Sequence, residues 1–447
     1  MKNIHLIGIG GDGMSGLARV LFEQGFHISG SNIEENKRTR ELRELGIPIH
    51  LHHSPENLKG ADTVIFSSAI NGENIELKAA MSDGHLVLHR IEMLARLFEG
   101  RFSIGIAGTH GKTTTAAMIA TLLKSSGKDP SFLIGAPCAT LKSNAALGRS
   151  EYLVAEVDES DGHFLKLQPN LAVITNIGRD HLNFYRDEAH IIENFKAFIG
   201  NSERVTLCAD DPNSQLILQS LKNKKISTFG IETKADLMAR QIKQRGMRTS
   251  FELLFRGKKK ATVHLWAPGR HNVYNALAAM LAGLHVGLSL PEMAEILQSF
   301  ALPERRFQVL KESPLWLIDD YAHLPEQIET NLRTIHEGWE KKRVIAVFQP
   351  HRFTRTLHIN GQFSNVFDLA DLIIVTEIYP AFEQPIPGID AQLIVEAIQK
   401  HKPSVCYVPQ KSEILALLQK TVRPGDFVIG FGAGDIWKVL HQFAASI

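Results

Sequence analysis

Two glycine-rich loops, each joining a short apolar run to a helical pattern, constrain the fold of this chain more than any other feature. The first follows Ile4-His5-Leu6-Ile7 and reads Gly8-Ile9-Gly10-Gly11-Asp12-Gly13, with a helical pattern over 14–24. The second follows Ser103-Ile104-Gly105-Ile106-Ala107 and reads Gly108-Thr109-His110-Gly111-Lys112-Thr113-Thr114-Thr115, with a helix expected over 113–126. A strand that turns through glycines straight into a helix opens a βα unit, and such units assemble into parallel sheets. Further apolar runs at 26–30, 47–49 and 63–66 extend the first series, and those at 152–157 and 171–175 extend the second. Runs at 315–318, 344–348, 372–375 and 427–430 form a third. Between 250 and 265 the pattern changes: 251–255 and 261–265 flank Arg256-Gly257-Lys258-Lys259 and read as an antiparallel hairpin. The expected fold is therefore α/β in three domains. These are a Rossmann-like domain over 1–100, a central P-loop ATPase-like domain over 101–303 and a Rossmann-like domain over 304–447.

Each glycine loop has its own chemistry. Glycines let the backbone approach a diphosphate, and a helix N-terminus adds N–H groups and the positive end of its dipole. A dinucleotide site would also need an acid after the second strand for the ribose, but the chain has Gly30-Ser31-Asn32 there. That weakens a nicotinamide cofactor and leaves a diphosphate of another kind. In the second loop, N–H groups can wrap a nucleotide phosphate, Lys112 can neutralise the transferred phosphoryl and the Thr113 hydroxyl can reach Mg²⁺. Ile106 stands where the usual motif has its first glycine. A hard cation takes oxygen ligands, which favours Glu156 in Ala155-Glu156-Val157-Asp158-Glu159-Ser160-Asp161. Asp180-His181 follows the next strand end, and a histidine is a less usual Mg²⁺ ligand. Taken alone, acidic loops and surface histidines are as often merely solvated.

Bulk properties exclude other classes. A formal net charge of +1 gives no basic surplus for nucleic acid. Cys138, Cys208 and Cys406 are too few and too scattered for a disulfide framework or a zinc cluster, which suits a reducing cytoplasm. Glycines and Asp12 break the first apolar run, so it does not read as a signal peptide, and no run is long enough to span a membrane.

These motifs, with Thr175-Asn176-Ile177, Asp180-His181-Leu182, Pro268-Gly269-Arg270-His271-Asn272-Val273-Tyr274-Asn275, Arg305-Arg306-Phe307, Asp319-Asp320-Tyr321-Ala322-His323, Phe348-Gln349-Pro350-His351-Arg352-Phe353-Thr354-Arg355-Thr356 and Gly432-Ala433-Gly434-Asp435, resemble the Mur ligases over nearly the whole chain. The first glycine loop and the segment from Gln349 to Thr356 resemble the alanine-adding branch.

The resemblance implies an ATP-dependent ligase of peptidoglycan precursor synthesis. It would join L-alanine to the lactyl carboxylate of UDP-N-acetylmuramate through an acyl phosphate. The alternative is a sister ligase that adds another amino acid or a peptide to the same sugar nucleotide. The first domain would hold the UDP-sugar on Gly10, Gly11, Gly13, Met14, Ser15, Ser67, Ser68, Ala69 and Ile70. ATP would sit on Gly108, Thr109, His110, Gly111, Lys112, Thr113 and Thr114, with Asn272 and Asn275 near the adenine and Arg306 and Asp320 reaching the nucleotide. Thr113, Glu156 and His181 would hold Mg²⁺ or Mn²⁺. Catalysis would fall to Lys112, Glu156, His181, Arg306 and Asp320, and the amino acid to Tyr321, His351, Arg352 and Arg355. Lys196 lies at the offset from His181 where several sister ligases carry a carbamylated, metal-bridging lysine. Leu324 replaces a histidine of the family pattern and Phe382 a glycine, both in the amino-acid domain. The partners implied are small molecules, without nucleic acid or membrane insertion, for a monomer or homodimer.

Overall fold

The computed structural model describes residues 2–181, 184–221, 224–340, 342–381 and 383–447, so Leu182 and Phe382 lie outside the described residues. Its α/β architecture is built on three sheets. The first has five parallel strands in the order Ile49–His50, His27–Ser31, Asn3–Ile7, Thr63–Phe66, Leu86–His89. Successive side chains of a strand point to opposite faces. Leu6 and Ile65 accordingly pack with Met14, Leu17 and Leu21 of helix Asp12–Glu23, while Ile7 and Val64 pack with Leu58, Leu77 and Ala80 on the other face. Both faces are covered, as parallel sheets require. Strand order reverses around Asn3–Ile7, and the first glycine loop leaves from that strand's carboxyl end, where such sheets open a crevice.

The second sheet has ten strands in the order Lys258–Leu265, Arg248–Phe255, Leu237–Arg245, Lys225–Gly230, Arg204–Cys208, Leu171–Ile174, Phe102–Ala107, Tyr152–Glu156, Ser131–Cys138, Ser143–Ala146. Phe102–Ala107, which delivers the second glycine loop, runs parallel to both its neighbours. The expected hairpin is present. Arg256 and Gly257 join its strands with φ of 48° and 76°, the positive values a two-residue hairpin turn requires. The third sheet runs Gln308–Lys311, Trp316–Asp320, Phe427–Phe431, Val344–Phe348, Leu372–Val375, Val405–Tyr407, parallel except for its first pair. Its Val347 and Val428 face helices Lys411–Thr421 and Trp437–Ser446, and its Phe348 and Ile429 pack with helix Pro325–Gly338.

The chain divides into two compact units. One holds 1–241, 251–264 and 272–301, and so the first sheet and most of the second; the other holds 242–250, 265–271 and 302–447. No described helix is long and apolar enough to cross a membrane.

A fully buried carboxylate ties the first sheet together. Glu76 accepts from Ser31 Oγ at 2.5 Å and lies 3.0 Å from His5 Nε2 and 2.8 Å from His53 Nδ1. Burial pushes its pKa up, but the bonds from His5, Ser31 and His53 outweigh it and hold the carboxyl at about 2. A carboxyl with a folded pKa below its unfolded one stabilises the fold above the unfolded value and loses that contribution as pH falls. We therefore expect this network to weaken between the ordinary glutamate value of ~4.3 and about 2. Glu76→Gln should lower the melting temperature at neutral pH and flatten its dependence on pH across that window, measured by circular dichroism.

Candidate active site

The second loop is held from behind. Gly108 has φ +135° and Gly111 φ +82°, so both need glycine's freedom. Space demands it too: a Cβ at Gly108 would lie 2.2 Å from Thr175 Oγ1, and one at Gly111 2.3 Å from Asn275 Oδ1. Thr109 N–H donates to Asn176 O at 3.1 Å and His110 N–H to Asn176 Oδ1 at 3.0 Å. His110 O accepts from Thr175 Oγ1 and Asn176 Nδ2 at 2.6 and 2.9 Å. Asn272 and Asn275 share one face of helix Arg270–His285 and are bonded at 3.1 Å, and Thr115 Oγ1 donates to Asn275 Oδ1 at 3.3 Å. The expected loop residues and the two asparagines are thus brought together. Thr175 and Asn176 anchor the loop; the sequence showed them as part of the family motif at a strand end, without this role.

Lys112 opens helix Lys112–Ser125 and folds back over its loop. Its ammonium donates to Gly108 O at 2.5 Å and to Glu159 Oε1 at 2.8 Å. Burial opposes charge on both partners and pushes the Glu159 carboxyl up against the pull of Lys112 and His181. On Lys112 the neighbouring Glu159 prevails over burial, and the pKa lies above its ordinary value. Glu156, at the end of Tyr152–Glu156, accepts from Thr113 Oγ1 at 3.1 Å and from Gly135 N–H at 2.6 Å. His181, at φ 56°, has Nε2 3.9 Å from Glu159 Oε1 and 3.5 Å from Asp180 Oδ2. Glu159 Oε2 is buried without a hydrogen-bond partner among the described residues. These oxygen donors, with one carboxylate oxygen unsatisfied, fit a hard divalent cation. Lys196 is exposed on helix Glu188–Asn201.

The first loop lies against 67–70. A Cβ at Gly8 would meet Ile70 Cδ1 at 3.1 Å, and one at Gly13 would meet Arg90 Nη1 at 3.0 Å. Gly8 and Ile9 N–H both donate to Ser31 O, and Asn36 Nδ2 donates to Gly10 O at 3.1 Å. Met14 and Ser15 are buried at the start of helix Asp12–Glu23, where Ser15 N–H bonds Gly11 O, while Gly11 itself is exposed. Ser67 O accepts from Ile70 N–H, and Ser68 Oγ lies 3.0 Å from His89 Nε2; Ala69 is exposed beside them. Arg90 Nη2 donates to Asp158 at 2.8 Å, and although burial pushes that carboxyl up, Arg90 holds it at about 2.

In the second unit, Asp320 accepts from Phe307 and Ala322 N–H at 2.5 and 2.7 Å. Arg305 and Arg306 lie over the Tyr321 ring, at 5.3 and 4.8 Å. Burial pushes Asp319 up to about 6, against the pull of Arg305. His351 stacks on Tyr379 at 5.7 Å and meets Arg355 Nη1 at 3.0 Å through Nδ1. Arg352, at φ 71°, has a buried Nε with no hydrogen-bond partner among the described residues. Gln349, which sequence reasoning gave no role, is buried and bonds Asp435 by both its amide atoms. Leu324 is buried at the start of helix Pro325–Gly338.

Gly111→Ala should cut ATP affinity at least tenfold, measured calorimetrically, because its Cβ displaces Asn275 and strains the loop.

Three family models match in order: "Mur ligase family, catalytic domain" over 3–102, "Mur ligase middle domain" over 106–283 and "Mur ligase, glutamate ligase domain" over 305–434. The UDP-N-acetylmuramate–L-alanine ligase of Syntrophobacter fumaroxidans is 41% identical over 100% of this chain and 96% of its own length. The enzyme of the same name from Pelotomaculum thermopropionicum is 41% identical over 98% and 96%. The crystal structure of UDP-N-acetylmuramate–alanine ligase from Thermotoga maritima superposes with a TM-score of 0.86 at 30% identity, covering 100% of this chain and 99% of that one. Identity of this extent over the full length, with all three domain models in register, makes the chain a member of the Mur ligase family.

Proposed function

We infer that this chain is an ATP-dependent UDP-N-acetylmuramate–L-alanine ligase of the cytoplasm, acting in peptidoglycan precursor synthesis. Full-length similarity to relatives of that name carries the reading. Residues 1–100 would hold the sugar nucleotide, 101–303 ATP and 304–447 the amino acid.

In the reaction, the lactyl carboxylate attacks the γ-phosphoryl of ATP and ADP leaves. The amine of L-alanine then attacks the acyl phosphate, a tetrahedral intermediate collapses and phosphate departs. No protein nucleophile is required, so the work of the chain is positioning and charge neutralisation. We assign the ATP phosphates to the loop 108–114, with the N–H groups of 111–114 and Lys112 as donors, since Asn176 holds those of Thr109 and His110. The lysine exchanges its Glu159 partner for phosphoryl oxygens and offsets the repulsion between the two anions. Gly10, Gly11, Gly13, Met14 and Ser15 would cradle the diphosphate of the sugar nucleotide, beside 67–70. Asn272 and Asn275 would face the adenine, and Arg306 and Asp320 the nucleotide. Tyr321, His351, Arg352 and Arg355 would receive the amino acid, with guanidinium groups suited to its carboxylate. Thr113, Glu156 and His181 would hold Mg²⁺ or Mn²⁺, which when bound neutralises charge on the phosphate oxygens. The partners are small molecules, and we propose a monomer or homodimer.

Phosphate release from ATP with Mg²⁺ should require both UDP-N-acetylmuramate and L-alanine across a panel of amino acids. Release that needs the sugar nucleotide but prefers glycine, serine or a peptide would move the assignment to a sister activity. Lys112→Ala should lower turnover by on the order of 10³, since losing one such stabiliser costs ~10²–10³. Near-normal turnover in that variant would overturn the role of the loop.

A further inference from the structure

A second group of ligand atoms lies apart from Thr113 and Glu156. His89 ends strand Leu86–His89 and precedes helix Arg90–Phe98, while Asp161 and His163 follow strand Tyr152–Glu156. One ligand atom from each of the three residues lies within 4.8 Å of the others. His163 Nδ1 lies 3.4 Å from Asp161 Oδ1 and His89 Nε2 lies 3.7 Å from Asp161 Oδ2. Ligands at the usual zinc distances of ~2.0–2.1 Å, disposed tetrahedrally, stand ~3.4 Å apart. These two nitrogen–oxygen separations are close to that spacing.

Two further observations point the same way. His163 Nδ1 is buried without a hydrogen-bond partner among the described residues, although its ring is partly exposed. The two imidazoles stack at 4.0 Å with planes 21° apart. Ser68 Oγ, bonded to Asp161 Oδ2 and 3.0 Å from His89 Nε2, is a further oxygen beside these ligand atoms.

We propose that His89, Asp161 and His163 bind a divalent transition-metal ion, with Zn²⁺ as the best-fitting occupant. Two imidazoles and a carboxylate suit Zn²⁺, whereas an all-oxygen set suits Mg²⁺. The site is distinct from the magnesium ligands assigned above, and it stands whether or not those assignments hold. Its cost is visible in the structure. His89 Nδ1 accepts from Ile91 N–H at 3.3 Å, and coordination through Nε2 moves the ring proton to Nδ1 and ends that helix cap. The expected affinity is therefore micromolar rather than that of a closed structural zinc site.

The test titrates Co²⁺, a spectroscopic substitute for Zn²⁺, into the full chain in excess Mg²⁺ without nucleotide. The expected result is one equivalent bound, with the visible absorption of nitrogen-ligated Co²⁺ and displacement by Zn²⁺. His163→Ala should weaken binding at least tenfold. His163→Phe should do the same, because it keeps a ring against His89 but removes both nitrogens. Circular dichroism would establish that both variants are folded. Absence of Co²⁺ uptake by the parent chain, or equal uptake by the parent and folded His163→Phe, would overturn the proposal.

Discussion

A loop that offers backbone N–H groups to a phosphate can spend only some of them on holding itself in place. Its shape must come from behind. Here the residues after the neighbouring strand supply it: Thr175 and Asn176 bond the carbonyl of His110, and Asn176 also takes the N–H of Thr109 and His110. Asn275 closes the remaining side against Gly111. The helix 270–285, more than a hundred residues further along the chain, is therefore part of the loop's construction.

The charges around the loops follow a second rule. A charge withdrawn wholly or partly from water is costly unless it is paired and hydrogen-bonded. Lys112 faces Glu159, Arg90 faces Asp158 and Arg305 faces Asp319. Each pair stands at or just beyond the carboxyl end of a parallel strand, where open α/β sheets take ligands. An anionic substrate can replace the carboxylate in such a pair without leaving the cation unpartnered. Tenable charge before and during binding follows from that exchange.

Much of this was legible in the sequence because local signals agreed. The run 103–107, its glycines and the following helix gave Phe102–Ala107 and Lys112–Ser125 to within a residue or two. The hairpin was readable from Arg256-Gly257, since few residue pairs tolerate its turn. Strand Ser131–Cys138 was not read, because Gly135 and Pro137 interrupt its apolar pattern and its place is fixed by partners in Tyr152–Glu156. Within the site, the lysine and its hydroxyl neighbours declare themselves by spacing. The pairing of Lys112 with Glu159 and the packing of Asn275 on Gly111 join residues 47 and 164 positions apart, and no local pattern records such contacts. The stacked pair His89 and His163 is invisible in sequence for the same reason.

The bracing of the second glycine loop has a thermodynamic consequence. Gly108 and Gly111 are fixed on their inner sides at distances that leave no room for a methyl group. Their backbone conformation is therefore settled when the chain folds, and the entropy of ordering that loop is charged to folding instead of to ligand capture. On the assignment proposed above, what remains to be rearranged when nucleotide binds is chiefly the lysine head group. Nucleotide association at this loop should thus carry little conformational entropy loss, and its heat should report almost directly on the exchange of one carboxylate for phosphate oxygens.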